Sequence, residues 1–117
     1  MASQLGADCP FFIKNTPVFA TGIGDQFTSV ELSLKNYYLL LVKPDIHIPT
    51  PEAYSAVVPE MPKISLLEAI QQPICQWKDT IKNDFEKTIL VRHPKIAAIK
   101  QTLYDLGAVY ASMSGSG

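Results

Sequence analysis

No apolar run in this sequence approaches the ~18 residues that a membrane-spanning helix requires. The longest, Tyr37 to Val42, is far shorter. The N-terminus lacks a basic stretch followed by an apolar one, so no signal peptide is visible and a cytoplasmic setting is expected. Only two cysteines are present, Cys9 and Cys75. They lie far apart and belong to no CxxC or Cys/His spacing, which points to reduced thiols rather than a disulfide framework or a zinc site. The two histidines, His47 and His93, are isolated, and no metal site is expected from them. No Ser/His/Asp or Cys/His arrangement has a local signature. The ten basic residues are scattered, and the net charge is −1. Neither nucleic acid nor a membrane surface is therefore expected as a partner, since both select a concentrated basic face.

What is present suits one modest domain. The chain has 117 residues, 47% hydrophobic and 18% charged, enough for a small core. Residues 9–13 are apolar and 14–17 form a turn. Val18 to Thr21 reads as a strand and 22–25, with Gly22 and Gly24, as a tight turn. Tyr37 to Val42 is a continuous β-prone run, expected to be a buried strand that ends at Lys43-Pro44. Ile46 and Ile48 alternate with Asp45 and His47 as a half-buried extension.

Helix signals follow. Thr50-Pro51-Glu52 supplies an N-cap hydroxyl, a proline at the first helical position and a first-turn acid, for a helix to about Val57. Ser65 and Glu68 have capping-box spacing, with Pro73 as the stop. Asn83 and Glu86 repeat that logic, with Phe85, Ile89 and Leu90 on one face. His93-Pro94 breaks that helix and begins another, whose apolar stripe is Ile96, Ile99, Leu103 and Leu106, with Gly107 at the C-terminal glycine position. Ala108 to Met113 reads as a last strand running into a Gly/Ser loop. The expectation is α+β, a mainly antiparallel sheet with three or four helices and an open sheet edge.

Four clusters could carry chemistry. Gly6-Ala7-Asp8-Cys9-Pro10 fixes an acid at a backbone corner, where it could act as a general base; taken alone, these residues are more simply explained by an Asp capping the next turn. Ser112 to Gly117 contains glycines that permit an anion-cradling nest, although a flexible tail has the same composition. Thr50 and Tyr54 stand one turn apart, a hydroxyl beside an aromatic ring, suited to a planar base with a polar edge. A capping Thr and a packing Tyr would look the same. Asn83 to Glu86 is accounted for as a helix start.

In this order, the segments LGADCPFF (5–12), ATGIGD (20–25), LLLVKPDIHIPTPEAY (39–54), NDFE (83–86), HPKIAAIKQTLYDLGA (93–108) and ASMSGSG (111–117) resemble the GHMP superfamily of small-molecule kinases. Within it they are most similar to the kinases of 4-diphosphocytidyl-2-C-methyl-D-erythritol, which act in non-mevalonate isoprenoid biosynthesis. The resemblance covers nearly the whole chain apart from about 58–80. It implies a partial GHMP C-terminal domain, with residues 1–30 ending an N-terminal domain and 31–117 belonging to a truncated C-terminal one. It implies ATP and Mg2+ as cofactors and a cytidine diphosphate compound as substrate, whose 2-hydroxyl is phosphorylated. Asp8 matches the catalytic aspartate, Thr50 and Pro51 positions lining the cytidine pocket, and Tyr54 an aromatic that stacks on cytosine. Ser114, Gly115, Ser116 and Gly117 match a Gly-rich loop beside the phosphates. The superfamily's main ATP loop, a catalytic lysine and a second cytosine-stacking aromatic have no counterpart here. The chain therefore reads as a segment cut at both ends, inactive alone and, with unpaired strand edges, inclined to self-associate. A GHMP kinase for another small alcohol, or a non-catalytic interaction domain with the same fold, stands as the alternative.

Overall fold

The computed structural model describes residues 2–117, in two compact units that divide between Tyr37 and Tyr38. In the first, a 3-10 turn (Ala2–Gln4) precedes helix α1 (Cys9–Lys14) and strands β1 (Val18–Thr21) and β2 (Gln26–Ser29). Pro10 lies in the first turn of α1, where its missing N–H costs nothing. Asn15 ends the helix at φ 47°, its N–H donating to the Phe11 carbonyl at 2.8 Å. The apolar stretch 9–13 is thus a helix. The β1–β2 pair is antiparallel, with Val18 opposite Ser29 and Thr21 opposite Gln26. Gly22 and Gly24, at φ 69° and 91°, close the turn between them, a conformation that a side chain would strain. None of the described residues of this unit is fully buried.

The second unit is helical: α2 (Thr50–Ser55), α3 (Leu66–Ala69), α4 (Trp77–Thr80), α5 (Glu86–Arg92) and α6 (Pro94–Asp105), with a 3-10 turn at Ile74–Gln76. Its core is Ile48, Ala53 and Ile89, with Ile46, Phe85, Ile96 and Met113 packed around them. Trp77, Ala69 and Ala111 are also buried. Trp77 stands edge-on to Tyr110 at 5.8 Å and donates from its indole to the Gln72 carbonyl. The Ser65–Glu68 capping box forms in both directions. Gly107, at φ 99°, follows α6 as its spacing indicates. Among the described residues six α-helices form where three or four are expected, because α1 and the single turn of α4 carry no distinct sequence signal.

Several expectations are corrected. The run 37–42 is not a strand and is not buried: Tyr38, Leu39 and Leu41 are almost wholly exposed. Residues 108–113 likewise form no ladder. A strand exists only with a hydrogen-bonded neighbour, and neither run meets one among the described residues. The sheet is therefore a two-stranded antiparallel hairpin in the first unit. Side chains take over the pairing at 108–113, where the Tyr104 hydroxyl bonds both the N–H and the carbonyl of Ala111. In α6, Ile96, Ile99 and Leu103 are half-buried, but Leu106, the C-cap just past the helix, is 80% exposed. Among the described residues no helix is long and apolar enough to cross a membrane.

Candidate functional site

In the first unit Asp8 occupies the N-cap position of α1, at φ −84° and ψ −13°. Its side chain makes no capping bond and is exposed. Capping therefore does not explain this residue. A methyl group added at Gly24 would stand 3.1 Å from the Asp8 Oδ1. The β1–β2 turn thus comes close to the carboxylate, and at Gly24 the φ of 91° favours glycine. Both Cys9 and Cys75 are free thiols.

The second unit holds the other candidates. Pro49, extended at φ −60° and ψ 131°, is the N-cap of α2, and its carbonyl accepts from the N–H groups of Glu52 and Ala53. Thr50 is consequently the first helical residue and not the cap, which leaves its hydroxyl out of any capping bond. The reason is that Pro49 supplies a fixed φ and an extended ψ one position earlier than the hydroxyl pattern suggests. Ala53 turns into the core, while Thr50, Pro51 and Tyr54 are exposed. The Tyr54 ring, 63% exposed, meets Phe85 edge-on at 4.9 Å. Glu52 anchors the helix from its other side, with Oε1 at 3.2 Å from His93 Nε2 and 3.8 Å from Arg92.

The loop at 114–117 is a closed turn, the Gly117 N–H donating to the Ser114 carbonyl at 3.3 Å. Gly115 and Gly117 have φ of 59° and 108°. A Cβ at Gly117 would fall 2.7 Å from Ile48 Cδ1, so the loop end lies flat on the core. Met113, before the loop, packs on the same cluster.

Two residues that sequence reasoning assigned only to a helix start hold this loop. Asn83 Oδ1 accepts from the Phe85 N–H at 3.0 Å, and its Nδ2 donates to the carbonyls of Met113 (3.0 Å) and Gly115 (2.7 Å). Glu86, expected as a capping-box acid, is instead buried at 7% exposure. Its Oε1 accepts from the Met113 N–H at 2.6 Å and its Oε2 from Lys100 Nζ. Spacing alone cannot separate an inward glutamate from a capping one; the signal would have been the lack of a Ser or Thr at the cap. Among the described residues no three His, Cys, Asp or Glu side chains come together as a metal cage.

Comparison with known proteins supplies the missing context. Over 117 residues the chain is 62% identical to the 4-diphosphocytidyl-2-C-methyl-D-erythritol kinase of Parabacteroides distasonis, and 56% to that of Azobacteroides pseudotrichonymphae. Against the kinase of the same name from Solidesulfovibrio magneticus the identity is 32% over 126 residues. The chain belongs to this kinase family. The three matches cover 99–100% of the chain but only 43–44% of each relative, so it spans less than half the length of the kinases it matches. No family model and no solved structure matches it.

Proposed function

We propose that this chain is part of an ATP-dependent kinase that phosphorylates the 2-hydroxyl of 4-diphosphocytidyl-2-C-methyl-D-erythritol in non-mevalonate isoprenoid biosynthesis. The observation that carries the reading is the 62% identity to a kinase of that name along the full chain. In this reading the helical unit is part of a GHMP C-terminal domain, and residues 1–30 close the N-terminal one.

Asp8 is the general base. It takes the proton of the substrate hydroxyl as that oxygen bonds to the γ-phosphorus of ATP and the bond to the bridging oxygen breaks, releasing ADP. An exposed carboxylate unoccupied by capping, beside a glycine that leaves it space, supports this role. Tyr54 stacks on cytosine, with Thr50 and Pro51 at the pocket wall; the outward ring and the uncommitted hydroxyl suit that task. Ser114 to Gly117 forms a wall of the phosphate site, its left-handed glycines permitting close backbone approach to an anion. Mg2+ would be held mainly by the nucleotide's phosphates with one or two carboxylates, where it offsets charge. Phosphoryl transfer needs positioning and charge stabilisation more than covalent help.

The test measures ADP formation from ATP and 4-diphosphocytidyl-2-C-methyl-D-erythritol, using a full-length protein carrying this segment and the 117-residue chain in parallel. Turnover by the full-length protein and none by the chain is expected. No turnover by the full-length protein would overturn the proposal. Equal turnover by the 117-residue chain would mean that the nucleotide site lies within it.

A further inference from the structure

A segment as short as Met113 to Gly117, without a strand partner, has no backbone ladder to fix it. Here side chains replace the ladder. Both main-chain groups of Met113 are gripped, the N–H by Glu86 Oε1 and the carbonyl by Asn83 Nδ2, and the second Nδ2 bond reaches the carbonyl of Gly115 inside the turn. The orientation of the Asn83 amide follows from chemistry. Phe85 offers it an N–H and the loop offers it two carbonyls, so the oxygen must face Phe85 and the NH2 the loop. Glu86 is fixed as well, because burial and Lys100 allow its carboxylate one direction.

We propose that Asn83 and Glu86 are the positioning residues of the Gly-rich loop, setting where its backbone stands relative to the transferring phosphates. The assignment rests on the kinase reading above. A helix-start residue would matter for stability alone, whereas a loop clamp matters for rate in a protein that remains folded. Small displacements of a positioned group suffice, since about 1 Å can cost about 100-fold.

Asn83→Asp separates the two roles in the full-length protein. Aspartate still accepts the Phe85 N–H, but it loses both donor protons and turns a carboxylate toward two carbonyls. The expected result is a kcat lower by about 10- to 100-fold per folded molecule, with cytidine diphosphate affinity within about twofold of the parent. Glu86→Gln keeps an acceptor for the Met113 N–H and should retain about tenfold more activity than Glu86→Ala. A kcat unchanged in Asn83→Asp, or a loss that vanishes after correction for folded fraction by circular dichroism, would overturn the assignment. If Asn83→Asp does not fold, Asn83→Ser decides on the same criterion, because it caps Phe85 but is too short to hold both carbonyls. An active parent with indifferent variants removes this assignment alone. An inactive parent removes the kinase reading and this assignment with it.

Discussion

Replacing Tyr54 separates a base-stacking ring from a packing one, and the structure gives the size of each effect. The side chain is 63% exposed, so about a third of an aromatic's 150–250 Å2, roughly 60–90 Å2, is buried. At about 25 cal/mol per Å2 that is ~1.5–2 kcal/mol, an upper estimate of what Tyr54→Ala removes from stability. Among the described residues the phenol oxygen has no hydrogen-bond partner, so Tyr54→Phe should cost almost nothing. If the free face stacks on cytosine, Tyr54→Ala should lose a further ~1–3 kcal/mol of binding, roughly 5- to 150-fold in Kd. The measurement is calorimetric titration of the full-length protein with cytidine diphosphate and, separately, with a non-hydrolysable ATP analogue, alongside thermal melts. Tyr54→Ala should weaken the cytidine ligand and leave the ATP analogue largely unaffected, and Tyr54→Phe should change neither. Equal weakening of both ligands in step with a lower Tm would refute the stacking role and return Tyr54 to packing against Phe85.

Three further outcomes are expected. Ile89 is completely buried at the centre of the helical unit, so Ile89→Ala should destabilise it by about 2–5 kcal/mol and Ile89→Val by about 0.5–1.5; urea unfolding read by the emission of Trp77, the single tryptophan, checks this, and an unchanged midpoint contradicts the core. Asp8→Asn in the full-length protein should lower kcat by about 10²–10⁴-fold while substrate affinity changes far less, and a kcat within a few-fold of the parent would leave Asp8 a turn residue. Burial holds the Tyr110 phenol above its ordinary value of 10.0, so the folded state binds its proton more tightly than the unfolded one. That stability is complete below pH 10 and is lost as pH rises through the higher folded value. Tyr110→Phe should flatten this part of the alkaline unfolding profile, and an identical profile would contradict it.

Elements governed by local chemistry were legible. The capping box at Ser65 and Glu68 depends on four consecutive residues, the Gly22–Gly24 turn on φ, and Gly107 on the end of one helix, and each forms as its spacing indicates. The apolar runs at 37–42 and 108–113 have the composition of strands because β-branched and aromatic residues favour extension. Extension is local, but a strand is a relation between two segments, and composition does not say whether the second is there. Thr50 illustrates a smaller version of the same problem. Its hydroxyl fits a cap, yet the proline before it already had the required dihedral angles. For the candidate site, the residue types were legible and their neighbours were not. Nothing near Asn83 in the chain announces Gly115, thirty-two residues away.

That distance explains why residues 83–86 tie the second unit together. Asn83 and Glu86 face the Gly-rich loop, and Phe85, between them, faces Tyr54. One turn of backbone therefore fixes the two features proposed to meet different parts of a substrate pair, the loop for phosphate and the ring for a base. Since α5 begins at Glu86 with Ile89 one turn on in the core, the register of that helix sets both at once. A shift by one residue would carry Phe85 from Tyr54 and Glu86 from Met113 together, because successive helical residues point about 100° apart. A change in core packing beneath α5 should thus disturb both proposed features in concert, whereas a change at Asn83 alone should be felt at the Gly-rich loop.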